Sequence, residues 1–114
     1  MAKIYKLLIR EVDWKVFEAI KNGTKTIETR AATEKYRGVK GGDILDFVCE
    51  KEHLQKEVKS VKLFKSVEEV AKELGIKPIM PLVDSLEEMK KIYYSFPEYE
   101  EKIKEFGLIA FLLK

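Results

Sequence analysis

Residues 24–31 read TKTIETRA, a stretch whose β-branched threonines and isoleucine favour an extended chain but which holds a single large aliphatic, Ile27. Alternate side chains of a strand face opposite ways. Thr24, Thr26, Glu28 and Arg30 are therefore predicted on one face and Lys25, Ile27 and Thr29 on the other, unless the turn at Gly23-Thr24 reorients Lys25. Burial alone does not hold so polar a strand, so something besides packing fixes its composition.

Upstream, Asp13 precedes Trp14, Val16, Phe17 and Ile20, and Asn22-Gly23 follows them. This pattern predicts a short amphipathic helix with an acid as its N-cap and Trp14 and Phe17 in the core. Before it, KIYKLLI (residues 3–9) has strand-like length and composition, with Lys3, Lys6 and Arg10 suiting an edge that meets water. Downstream, ATEKYRGVKGGD (32–43) has three glycines and no periodicity and reads as a loop, leading into the apolar strand DILDFVCE. A fourth strand, KEVKSVKLFKS, alternates apolar residues with lysines but slips by one between Val58 and Val61, the mark of a bulge.

Ser66 and Ser85 are each followed three residues later by a glutamate, the capping-box spacing, so two helices are predicted to open there. The first closes at Gly75 and the second stops before Pro97, with the proline-bearing loop IKPIMPLVD between them and a further helical turn over Glu98–Glu105. GLIAFLLK (107–114) is a nearly continuous apolar run, as expected of a central strand buried on both faces. Strands this numerous with so few helices favour an α+β fold, a small mixed or antiparallel β-barrel decorated with helices, over a doubly wound sheet.

Composition narrows the function. At 114 residues, 46% apolar and 37% charged, residues 1–114 are expected to form one folding domain with a real core. No apolar run approaches the roughly 18 residues of a membrane span, and the first residues meet charge too early for a secretory signal. No membrane partner and a cytoplasmic location are expected. One cysteine and one histidine exclude an internal disulfide and a cysteine-rich zinc site, and neither a metal nor a cofactor is expected. Cys49 and His53 are four residues apart, but a buried thiol in an apolar strand and a histidine in an exposed turn account for both. Nineteen lysines and sixteen glutamates against one asparagine and one glutamine match proteins that work at high temperature.

The net charge of +2 conceals two opposed regions. Residues 21–40 hold six cations against two glutamates, a balance of +4, whereas residues 66–106 hold ten acids against six lysines, a balance of −4. The basic stretch is a footprint for phosphate or carboxylate, or else a solvated lysine surface.

The stretch from Phe17 to Phe47 resembles the ASCH domain family (activating signal cointegrator homology) of small stand-alone prokaryotic type. The similarity lies in a helix ending at glycine, the arrangement G-x-K-x-x-E-x-R at Gly23, Lys25, Glu28 and Arg30, and Gly42-Asp43 opening an apolar strand. The resemblance implies a PUA-like barrel with a cleft between the motif strand and the helices, and a role in binding RNA or nucleotide-like ligands. In that reading Lys25, Arg30, Arg37 and Lys40 meet phosphate, Glu28 accepts from a base edge and Tyr36 stacks on a base. A monomer is expected.

Some small relatives in this group are amidohydrolases of acylated cytidine that use a lysine, a threonine and a glutamate. Lys25 matches the lysine, but Glu28 stands where the threonine belongs, and only Asp84 lies near the place of the distal glutamate. If the protein is an enzyme, Lys25 and Glu28 are the working pair, although a carboxylate beside a lysine ordinarily raises the lysine pKa. A cross-strand ion pair that stabilises the barrel, and a protein-interaction module docking through the acidic helices of residues 66–105, are the remaining readings. Tyr93, Tyr94, Phe96 and Tyr99 around Pro97 are expected to be mostly structural, with one or two as lid residues.

Overall fold

The computed structural model describes residues 2–114. Five strands, β1 (Ile4–Ile9), β2 (Ile27–Ala31), β3 (Ile44–Cys49), β4 (Glu52–Phe64) and β5 (Leu108–Leu113), form one curled sheet in the order β1-β3-β4-β5-β2. Helices α1 (Trp14–Asn22), α2 (Glu34–Arg37), α3 (Val67–Leu74), α4 (Leu86–Ser95) and α5 (Tyr99–Phe106) complete the α+β fold. β1 runs parallel to β3, and the other pairings are antiparallel. No ladder joins β1 to β2, so the barrel is open along a seam between these two edge strands. No helix among the described residues is long and apolar enough to cross a membrane.

β5 lies between β4 and β2 and divides the core in two. Ile109 and Phe111 pack inside the barrel with Leu7, Phe17, Ile20, Leu45, Phe47 and Val58. Leu108 and Ala110 face the layer formed by α3, α4 and α5, where they meet Val67, Val70, Met89, Tyr93 and Ile103. This two-sided burial is why the sequence of β5 is apolar throughout.

Both capping boxes form: Ser66 Oγ accepts from Glu69 N at 3.1 Å and Ser85 Oγ from Glu88 N at 3.2 Å. The bulge in β4 falls where the apolar alternation slips, between Val58 and Ser60.

Several local expectations are corrected. Asp13 does not cap α1; its carboxylate accepts from Arg10 Nε at 2.8 Å, and a single 3-10 turn, Glu11–Asp13, leads into the helix. That turn rotates Trp14 out of the core to 54% exposure while Phe17 stays buried. His53 lies in β4 rather than in a turn, since β4 already begins at Glu52, and its ring stands 3.1 Å from Asp46 on β3. The segment read as a loop contains α2, which buries no residue and so shows no apolar periodicity. The last helix runs one residue later than expected, over Tyr99–Phe106.

Four glycines have positive φ, and two of them need it for different reasons. Gly23 ends α1 at φ +84° with open space around the position of a Cβ, whereas Gly107 at φ +79° packs against the backbone of Phe64. Gly23→Ala should therefore cost only the backbone strain, about 1 kcal/mol. Gly107→Ala should cost more, about 3 kcal/mol, because strain and collision combine. Denaturant unfolding of the two variants checks the order.

Candidate functional site

β2 is an edge strand, and its outward backbone groups have no neighbouring strand to bond. Leu113 N donates to Thr26 O and Ala32 N to Gly107 O, each at 2.9 Å, so the even-numbered residues of β2 bond β5. Ile27, Thr29 and Ala31 accordingly turn their N–H and C=O groups away from it. Side chains and a loop take the place of the missing strand. Ile27 N donates to Pro78 O at 3.1 Å, Ile27 O accepts from Lys25 Nζ at 2.8 Å, Thr29 N donates to Glu28 Oε1 at 3.1 Å, and Ala31 N donates to Tyr99 Oη at 3.3 Å. This edge requirement is the constraint besides packing that the polar composition demanded.

Glu28 and Arg30 share the face of their partners Phe111 and Ile109, toward the barrel, and Thr29 shares that of Ala110, toward the helices. The alternation read from the sequence thus holds within the strand. Thr29 Oγ1 is hydrogen-bonded to Tyr93 Oη, whose ionisation burial opposes by raising its pKa. Lys25, outside the strand, is reoriented. Its ammonium donates to Ile27 O at 2.8 Å and Ile79 O at 2.6 Å and stands 3.3 Å from Glu28 Oε1. Three acceptors for three protons require the charged form.

Lys25 and Glu28 are each only 6% exposed. Burial pulls the Lys25 pKa below its ordinary value although Glu28 opposes this. Burial would raise the Glu28 carboxyl, but Lys25 and Arg30 outweigh it and hold the group below the usual glutamate range. Glu28 Oε2 accepts from Arg30 Nε at 3.2 Å and Nη2 at 3.0 Å, and Nη2 also reaches Leu8 O on β1 at 3.4 Å. Arg30 thereby bridges the seam. Two cations on one carboxylate leave the trio at +1.

Every buried side-chain polar atom among the described residues has a partner. Arg30 Nη1 has no protein acceptor among them, so on this 19% exposed side chain it is the nitrogen that keeps contact with solvent. Around it stand Tyr36, whose ring centre is 5.9 Å from Arg30 Cζ, and Tyr99. Tyr36 packs edge-on against Phe111 and carries Lys35 Nζ at 5.3 Å, while Phe96 packs edge-on against Tyr99 and carries the Arg10 guanidinium at 5.4 Å.

The expected site residues divide accordingly. Arg30 and Tyr36 meet at the seam. Lys25 and Glu28 lie behind them with their bonding capacity used internally, so neither offers a free group to phosphate or to a base edge. Arg37 ties Ala32 O at 2.7 Å and Phe106 O at 3.0 Å, latching the end of β2 to the end of α5. Lys40 is exposed in the loop before β3, where Asp43 accepts from its backbone N at 3.0 Å. Arg10, Lys35, Phe96 and Tyr99 were missed as a group because four separate segments bring them together; only the aromatic cluster around Pro97 signalled part of it.

Neither Thr26, Thr29 nor Asp84 completes a lysine–threonine–glutamate arrangement: Thr26 is exposed, Thr29 points to the helices, and Asp84 is an exposed partner of Lys77 at 2.7 Å. No group of three or more His, Cys, Asp or Glu side chains among the described residues is placed to hold a metal ion. Two surface hollows, one along α4 and one beside Trp14, involve none of these residues.

A family model described as ASCH domain matches residues 11–111. The crystal structure of hypothetical protein PH0355 superposes with a TM-score of 0.81 at 34% identity, covering 96% of this chain and 98% of that chain. The solution NMR structure of protein PF0455 from Pyrococcus furiosus superposes with a TM-score of 0.78 at 32% identity, covering 97% and 96%. No curated protein matches the chain.

Removing the Glu28 charge leaves buried Lys25 and half-buried Arg30 unbalanced, so Glu28→Gln should lose about 3 kcal/mol at neutral pH. Because the folded-state pKa lies below the ordinary 4.5, the unfolded chain binds more protons between the two values and stability rises with pH there. The wild-type contribution is complete above that ordinary value and is lost as pH falls through the folded one. Thermal unfolding across this acid range should show a steeper decline for wild type than for Glu28→Gln.

Proposed function

The chain belongs to the ASCH domain family, and from that premise we propose that it binds RNA or a nucleotide-like ligand at the seam between β1 and β2. One observation carries the reading. Arg30 is fixed by Glu28 through Nε and Nη2, while its Nη1 edge faces solvent beside the Tyr36 ring. A guanidinium held in this way loses little freedom on meeting a phosphate, and an aromatic face at its side accepts a base.

Charge supports the same ligand. The Lys25–Glu28–Arg30 trio carries one uncompensated positive charge, and Arg10 and Lys35 add exposed cations at the rim. A bound phosphate balances the trio without disturbing the Lys25–Glu28–Arg30 hydrogen bonds. In this reading Lys25 and Glu28 are positioning residues, Arg30 is the phosphate contact and Tyr36 the stacking platform. Resemblance to the family implies a nucleic-acid ligand, which fits both features.

The amidohydrolase reading asks for a lysine that reaches substrate and a hydroxyl beside it. Lys25 is enclosed by Ile27 O, Ile79 O and Glu28, and the nearest buried threonine faces away. Binding is therefore preferred over hydrolysis.

Titration of single-stranded RNA, followed by fluorescence anisotropy at several salt concentrations, tests the proposal. Affinity should fall as salt rises, and Arg30→Ala should weaken it by about tenfold or more, the loss expected for charged hydrogen bonds. Binding indifferent to salt and to Arg30→Ala, or no binding at all, would overturn it.

A further inference from the structure

Resting on that reading, we propose that the seam accepts one dinucleoside phosphate step of a single strand, with the phosphodiester on Arg30 and the two flanking bases on Tyr36 and Phe96. The inference comes from a duplication at the seam that a single bound nucleotide leaves half unused. Two half-buried rings stand at the seam from separate elements: Tyr36 from α2, 5.9 Å from Arg30 Cζ, and Phe96 from the turn after α4, joined to the Arg30 strand through Tyr99.

Each ring is built in the same way. A second ring holds it edge-on: Phe111 holds Tyr36 with centres 6.4 Å apart and planes at 64°, and Tyr99 holds Phe96 at 5.4 Å and 72°. An exposed cation stands over each, Lys35 Nζ at 5.3 Å and Arg10 Cζ at 5.4 Å, and Tyr36 carries Arg30 Cζ as well at 5.9 Å. Tyr99 is itself pinned by the bond from Ala31 N, the residue after Arg30, which ties the Phe96 platform to the seam. The rings are thus rigid platforms whose orientation does not depend on a ligand.

The cations supply the exchange. Lys35 has no ion pair among the described residues, so a base taking its place over Tyr36 displaces only an exposed cation–π contact and frees the ammonium for the same phosphodiester. Arg10 is held at Nε by Asp13 at 2.8 Å, so a base entering over Phe96 displaces its exposed guanidinium from the ring and frees the Nη groups for the same phosphodiester. Between them the open Nη1 edge of Arg30 offers two N–H donors to one phosphodiester. Duplex nucleic acid cannot use the site, because its bases are already stacked on each other.

The test compares uridine monophosphate, the dinucleotide UpU, its deoxyribose counterpart, a longer oligouridylate and a blunt RNA duplex by calorimetry, with NMR observation of the Tyr36 and Phe96 rings. UpU or its deoxy counterpart should bind at least about tenfold tighter than the mononucleotide, since a second stacked base contributes that much. A gain with either sugar supports the step, and the tighter one assigns the strand as RNA or DNA. The longer strand should add less than about threefold. Tyr36→Leu and Phe96→Leu, which keep the apolar packing, should each return UpU to about the affinity of the mononucleotide. Equal affinity for mononucleotide and UpU, with dependence on Arg30 intact, overturns the dinucleotide step and leaves nucleotide binding standing. A duplex that binds as tightly as UpU also overturns it. If no probe binds, both fall together.

Discussion

A strand at the edge of a sheet turns half of its backbone donors and acceptors toward a neighbour that does not exist, and in β2 this requirement is met by three side chains together with nearby loop backbone. Lys25 bonds the outward carbonyl of Ile27, Glu28 the outward N–H of Thr29, and Tyr99 that of Ala31. An unsatisfied buried backbone group costs about 1–3 kcal/mol, so these bonds decide whether the edge is stable at all. They also seal it against pairing with another chain, which an open edge invites. Ion pairing then follows from the edge chemistry. Once a lysine and a glutamate are buried to serve backbone groups, their mutual contact limits the cost of desolvating both charges.

Arg30 occupies a different position in the same arrangement. One carboxylate balances one cation, and Lys25 has already met Glu28. Arg30 is the additional charge, bound to Glu28 firmly enough to be oriented and connected to β1 through Leu8 O. The barrel seam is consequently closed by a guanidinium rather than by a ladder. Closure by a ladder would use every backbone group and leave no donor pointing outward. Closure by an arginine leaves Nη1 free, and a stabilising contact becomes a candidate recognition group without any further residue.

How much of this could be read from sequence depends on the range over which each feature is determined. The capping boxes at Ser66 and Ser85, the bulge after Val58 and the two-sided burial of β5 rest on neighbours within a few residues, and the sequence shows each of them directly. The common face of Glu28 and Arg30 follows from strand alternation, which is equally local. Trp14 was misplaced because a helical stripe indicates which residues share a face but not where the face begins, and the 3-10 turn ahead of α1 shifted that start. Lys25 was uncertain for a similar reason. Its environment is set by Ile79, 54 residues away, and by the Pro78 carbonyl that meets the start of β2. The cations and rings at the seam come from the end of β1, α2, the α4–α5 turn and the start of α5, and nothing in the local spacing of any one segment assembles them.

The division of labour within the motif accounts for its exact residue types. A neutral side chain at position 25 would leave Glu28 and Arg30 as a balanced pair and remove the excess positive charge of the trio, and a glutamine at 28 could bond Thr29 N but would leave two cations facing each other. Arginine at 30 is the least replaceable for recognition, since a lysine there can pair with Glu28 but has no second edge to present. Position 29, between them, turns to the helix layer and bonds Tyr93, so the strand also anchors α4 and, through Tyr99, α5. Moving the strand by one residue would exchange these two faces. The charges would then lie against Val70 and Met89, and the threonine inside the barrel. The register of β2 against β5 therefore fixes the fold and the exposed edge of Arg30 together, and a change that stabilises one at the expense of that register removes the other.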